Sequence, residues 1–126
     1  MRPLRECPPG DLARLRGVLA DIDDTLTSEG RLRAEAYSAM ERIQSVGLLL
    51  IPVTGRPAGW CDHIARMWPV DAVVGENGAF WFRYDHAARR MHRHFIHDAD
   101  ERRIHRERLR VVAADVLRAV PRAQIA

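Results

Sequence analysis

Gly17-Val18-Leu19-Ala20-Asp21-Ile22-Asp23-Asp24-Thr25-Leu26-Thr27 decides the fold. Its first four residues form a short apolar run that stops at turn-forming residues, the pattern of a buried parallel strand. Asp21 and Asp23 leave the end of that strand two positions apart. Open α/β sheets bind ligands at the carboxyl ends of their strands, and a sharp turn after Asp21 lets Asp23 point back toward the same space. Two carboxylates so placed suit phosphoryl transfer, in which one attacks while the other moves protons.

The surrounding pattern supplies the sheet. Leu32, Ala36, Ala39, Met40, Ile43 and Val46 recur at helical spacing, with Gly47 as the stop. Leu48-Leu49-Leu50-Ile51-Pro52-Val53 follows at once as a second strand, giving βαβ with an expected right-handed crossover. Pro52 lacks a donor but lies near the strand's end, where one lost hydrogen bond costs least. A helix over 58–67, stopped by Pro69, leads to a third strand at 72–74. Two further strands, 79–84 and 91–96, pair as a hairpin. A last helix over 99–119 carries the apolar stripe Leu109, Val112, Ala113, Val116, Leu117 and Val120, and Arg122 to Ala126 reads as the start of another strand. Residues 1–12 are a Pro-rich lead-in. The fold class expected is α/β, with a Rossmann-like parallel sheet.

Three strand ends in succession carry the unusual residues: Asp21 and Asp23, then Thr54, Gly55 and Arg56, then Glu76 and Asn77. Each cluster alone is explained by turn chemistry. In a parallel sheet all three share one edge, and their convergence there points to chemistry.

Taken together, these residues resemble the haloacid-dehalogenase-like (HAD) phosphatases, and within them the class IIB subfamily with an α/β cap after the third core strand, which includes Cof-type sugar-phosphate phosphatases and sucrose-phosphate phosphatase. The DxDxT motif is matched by Asp21, Asp23 and Thr25, the TGR motif by Thr54-Gly55-Arg56, and the ENGA signature by Glu76-Asn77-Gly78-Ala79. The resemblance covers about Gly17 to Phe82. It implies that Asp21 is the nucleophile that becomes an aspartyl-phosphate and that Asp23 is the general acid and base. It implies Mg²⁺ at the Asp21 carboxylate and the Asp23 carbonyl, phosphate held by Thr54, Gly55 and Arg56, and Glu76 and Asn77 at the junction of substrate and cap. Arg56 could equally be a surface salt-bridge partner.

Two parts of the family pattern are absent. The third motif requires a Lys, and all twenty basic residues of this chain are Arg. The fourth requires a strand ending in GD or DD, which nothing after Asn77 supplies; Asp98-Ala99-Asp100 opens a helix, where a cap-and-dipole role explains it. The implied organisation is 1–78 as the N-terminal part of a HAD core and 79–126 as the start of a cap (hairpin plus helix), an incomplete version of the fold with an open sheet edge suited to self-association. The function implied is Mg²⁺-dependent hydrolysis of a small phosphorylated metabolite, with a sugar phosphate as the substrate the subfamily resemblance implies. A phosphomutase of the same superfamily and a non-catalytic phosphate-binding or assembly module are the alternatives.

Composition narrows the classes further. With 47% apolar and 29% charged residues over 126 positions, the chain suits one globular domain. No run reaches the roughly 18 apolar residues of a membrane span, and the first residues lack the apolar core of a signal peptide, so a soluble cytoplasmic protein is the default. The net charge of +3 does not mark a nucleic-acid surface, because the Arg are interleaved with acids along 98–108. Cys7 and Cys61 read as two free thiols. His92, His94 and His97 lack the carboxylate or thiol that would complete a metal set. Trp60, Trp68, Trp81 and Phe82 suit core packing at least as well as a sugar pocket.

Overall fold

The computed structural model describes residues 3–125. A 3-10 turn, Leu4–Glu6, and the one-turn helix α1 (Pro9–Leu12) lead into β1 (Gly17–Asp21). A five-residue loop then gives way to a small antiparallel hairpin, β2 (Thr27–Ser28) with β3 (Arg31–Leu32). Its two connecting residues, Glu29 and Gly30, both have positive φ, as a two-residue hairpin turn requires. Helix α2 (Ala34–Ser45), strand β4 (Leu49–Val53), helix α3 (Ala58–Met67) and strand β5 (Val73–Gly75) follow in alternation. The hairpin strands β6 (Phe80–Asp85) and β7 (Arg90–Phe95) and the long helix α4 (Ala99–Ala119) complete the chain.

The expected α/β architecture is present. Five strands form one sheet in the order β1-β4-β5-β6-β7. β1, β4 and β5 are parallel neighbours, and β6 runs antiparallel to β5, so β6 and β7 extend the sheet that carries the strand ends. Pro52 stands opposite Ala20 in β4. Ahead of β5, Asp71 prolongs the ladder on the other side of β4: its Oδ2 accepts from the Leu50 N–H at 2.8 Å and its own N–H donates to the Leu50 carbonyl at 2.9 Å.

Register sorts the side chains by face. Leu50, Val73, Phe80 and Phe82 lie on one face and are almost fully buried, with α2 against β4 and α3 against β5 and β6. This is the core, with Met40, Cys61 and Ile64 contributed by the helices. The opposite face is traced by the registered residues Leu19, Ile51, Val53, Val74 and Trp81. Leu19 there is 72% exposed, against 0% for Leu50 on the first face. Because β1 is the end strand, the sheet also has an open edge on the side that bears Asp21. Charge ties α3 to the hairpin: Asp62 takes Arg66 at 2.6 Å and Arg93 at 2.9 Å, and Arg66 lies over the Tyr84 ring. The Arg66 hydrogen bond, aided by Arg93 and opposed by burial, holds the Asp62 carboxyl below its usual range.

The chain divides into two compact units, with the boundary between His94 and Phe95. In the second, α4 opens on a capping box: Asp98 accepts from the Glu101 N–H at 2.9 Å while Glu101 accepts from the Asp98 N–H at 3.1 Å. The capping reading of Asp98 therefore holds. Leu109, Val112, Val116 and Val120 of its apolar stripe are all exposed. The strand expected to begin at Arg122 is not formed: the chain turns at Pro121 and Arg122, and no strand runs through 122–125; Ala126 lies outside the described residues.

Candidate active site

The loop after β1 is shaped by one carbonyl. The Ile22 oxygen accepts from both the N–H and the hydroxyl of Thr27, the latter at 2.9 Å, and closes a loop over 22–26. Ile22 is buried and anchors it. Asp24 crosses into the left-handed region at φ 57°, a conformation that Asp tolerates better than most residues. The sharp reversal expected after Asp21 is thus present, and both Asp21 and Asp23 are exposed.

The second and third strand ends are stitched together. The Thr54 N–H donates to the Val74 carbonyl at 2.9 Å, the Asn77 N–H to the Thr54 carbonyl at 3.0 Å, and the Glu76 N–H to the Arg56 carbonyl at 3.2 Å. Glu76 and Asn77, at φ 45° and 55°, are consecutive left-handed residues other than glycine. Such conformations cost on the order of 1–3 kcal/mol each and cluster at functional sites. Thr54 is buried, and its hydroxyl oxygen accepts from the Arg56 N–H at 3.2 Å, which leaves the hydroxyl proton available as a donor. The Asn77 carboxamide lies against Gly55, 3.3 Å from where a Cβ would stand.

Asp21, Thr54, Gly55 and Asn77 line one cleft of about 360 Å³, whose remaining wall is Leu19, Ala20 and Val53. Three strand ends therefore meet, as their order in the sequence implies. Arg56 and Glu76 are not among the cleft's lining residues. Arg56 turns instead to Asp23: its Nε lies 3.3 Å from one carboxylate oxygen and its Nη2 2.5 Å from the other. The guanidinium also rests over the Trp60 ring, 4.6 Å from the centroid. Trp60 is the participant that sequence reasoning missed as an Arg56 partner; the signal was its i, i+4 spacing from Arg56 across the start of α3.

Beneath the site, the Cys61 thiol lies 3.6 Å from the Arg56 carbonyl. Burial pushes this thiol up to about 11, the Glu76 carboxylate adds to the rise, and Arg56 opposes it. Both cysteines are free. A thiol held neutral in the fold stabilises it fully below the ordinary value of 9.0 and loses that contribution as pH rises toward 11. Wild-type protein is therefore expected to lose about 2–3 kcal/mol more than Cys61→Ala between those limits, measured by urea unfolding at each pH.

The donor set suits a hard cation. Asp21 lines the cleft, and its carboxylate has no hydrogen bond or ion pair to another described residue. No group of three or more Asp, Glu, His or Cys able to hold a metal occurs among the described residues. The described residues alone therefore make no closed metal site; the Asp21 carboxylate and the Asp23 carbonyl are oxygen donors of the kind that Mg²⁺, which draws on one or two carboxylates plus substrate phosphate and water, would take.

A family model described as haloacid dehalogenase-like hydrolase matches residues 18–108, a span that includes all three strand ends. Comparison with curated proteins finds no match.

Proposed function

The chain belongs to the haloacid dehalogenase-like hydrolases, and on that premise we propose that its site is built for Mg²⁺-dependent hydrolysis of a small phosphate monoester, with a sugar phosphate as the substrate class. The observation that carries this reading is the meeting of Asp21, Thr54, Gly55 and Asn77 in one cleft at the carboxyl ends of the parallel strands. Its volume suits a small metabolite. The sugar preference and class IIB membership rest on the TGR and ENGA resemblance.

In this mechanism an Asp21 carboxylate oxygen attacks phosphorus, and the bond from phosphorus to the leaving oxygen breaks as Asp23 donates its proton there. Asp23 then takes a proton from water as that water attacks the aspartyl-phosphate, releasing inorganic phosphate and restoring Asp21. The Thr54 hydroxyl and the Gly55 N–H hold phosphate oxygens, and Asn77 faces the rest of the substrate. When bound, Mg²⁺ held by the Asp21 carboxylate and the Asp23 carbonyl offsets the repulsion between carboxylate and phosphate. A lysine, which these 126 residues lack, and the acid of the family's fourth motif would come from another polypeptide segment paired along the open edge of β1.

The test is hydrolysis of p-nitrophenyl phosphate with and without Mg²⁺, beside binding of beryllofluoride followed by fluorine NMR. Turnover that requires Mg²⁺ is the expected result. Absence of a bound beryllofluoride signal in folded protein would sink the reading. Binding without turnover would favour a phosphate-binding module instead, a reading that the missing lysine supports.

A further inference from the structure

The ion pair between Arg56 and Asp23 is better built than an exposed pair usually is. Two different guanidinium nitrogens meet two different carboxylate oxygens, at 3.3 and 2.5 Å, the fork geometry that fixes orientation as well as charge. The Arg56 side chain is only 25% exposed, and the Trp60 ring backs its guanidinium plane. Its main chain is fixed as well, the N–H to the Thr54 hydroxyl and the carbonyl to the Glu76 N–H and the Cys61 thiol. Arg56 therefore joins β4's end, α3, the Glu76 turn and the loop after β1 at a single residue. Isolated surface pairs lack this bracing and contribute little.

We propose that Arg56, braced by Trp60, is a positioning residue for Asp23: it holds the proton-transfer carboxylate by both oxygens and does not serve as a phosphate ligand. The inference rests on the reading of Asp23 as acid and base given above. Its physical content is that, among the described residues, nothing but Arg56 bonds the Asp23 carboxylate, which stands in the 22–26 loop next to left-handed Asp24. Displacing that group by about 1 Å is enough to slow proton transfer about 10²-fold.

Arg56→Ala, Arg56→Lys and Trp60→Leu separate this role from phosphate binding. Arg56→Ala is expected to lower kcat about 10²-fold with KM and beryllofluoride affinity within about threefold of wild type, and added guanidinium is expected to restore part of kcat. Arg56→Lys fails to restore it, because a point charge cannot hold both oxygens. Trp60→Leu, which keeps the charge, lowers kcat by a smaller factor. In the folded protein without substrate, the carbon-detected NMR signal of the Asp23 carboxyl moves in Arg56→Ala while that of Asp21 does not.

A tenfold or larger loss of beryllofluoride affinity in Arg56→Ala would instead make Arg56 a phosphate ligand and overturn the proposal. So would an unmoved Asp23 carboxyl signal, or an unchanged kcat. These outcomes leave the phosphatase reading intact. Wild-type protein that binds no beryllofluoride overturns that reading, and this inference with it.

Discussion

Asp21→Asn is expected to reduce phosphate-ester turnover by at least about 10⁴-fold while leaving the fold unchanged. The amide keeps the size and shape of the carboxylate but cannot form the acyl-phosphate bond, and removal of a nucleophile costs nearly as much as removal of the whole constellation it serves. Stability should move by no more than about 0.5 kcal/mol, because Asp21 is exposed and its carboxylate has no partner among the described residues. Relief of repulsion from Asp23 and Asp24, close in the same loop, works in the stabilising direction. Asp23→Asn, which removes proton transfer together with the charge that Arg56 pairs with, should cost about 10²–10⁴. Steady-state rates and thermal melts on the same samples decide the matter. Undiminished turnover in Asp21→Asn would place the nucleophile elsewhere.

Gly75→Ala should produce the largest loss of stability, about 3 kcal/mol, at the upper end of what overpacking a core costs. Backbone strain is not the cause, since Gly75 at φ −114° and ψ 168° is ordinary extended chain. The cause is space. Phe80 stands directly across the β5–β6 ladder with its ring over Gly75, and a Cβ would overlap that ring and lie 2.7 Å from the Cys61 sulfur. Both neighbours are buried, Phe80 at 2% exposure and Cys61 at 0%. For a unit of this size the melting midpoint should fall by about 10–20 °C. Phe80→Leu in the same chain should recover part of the loss, as expected for residues that share a contact. Gly55→Ala is the control, since the nearest atoms to its Cβ belong to the Asn77 side chain, which can rotate away. Equal effects at the two glycines would refute the packing argument.

The parallel half of the sheet was legible because its signals are physical and redundant. Buried apolar runs alternate with amphipathic helices, and the bounds of α3 and α4 fall where Pro57, Pro69, Asp98 and Pro121 put them. The shared edge of Asp21, Thr54 and Asn77 then follows from parallel order alone. The β2–β3 hairpin escaped notice because strands of two residues have no period to read, although Glu29-Gly30 is a turn signal. Which way Arg56 points was not legible either. A sequence offers phosphate, solvent and Asp23 to the same guanidinium, and the choice depends on the reversal at Asp24 and on Trp60 one helical turn away. An exposed apolar sheet face was expected of a half-sheet, but which residues form it became visible only once register placed Leu19, Val53 and Trp81 together.

Among the described residues, β1 is bonded along one side only, to β4. Its last residue is Asp21, so the carboxylate proposed to attack rides on a strand held by a single ladder, tied to the core through its neighbour Ile22. Fraying of that ladder is expected to lower the fraction of molecules with Asp21 aligned at less cost than the global unfolding that Gly75 and Phe80 resist. Slow amide exchange in β4 beside fast exchange in β1 is the signature of that arrangement. Whatever zips onto the free side of β1 would raise protection and the aligned fraction together.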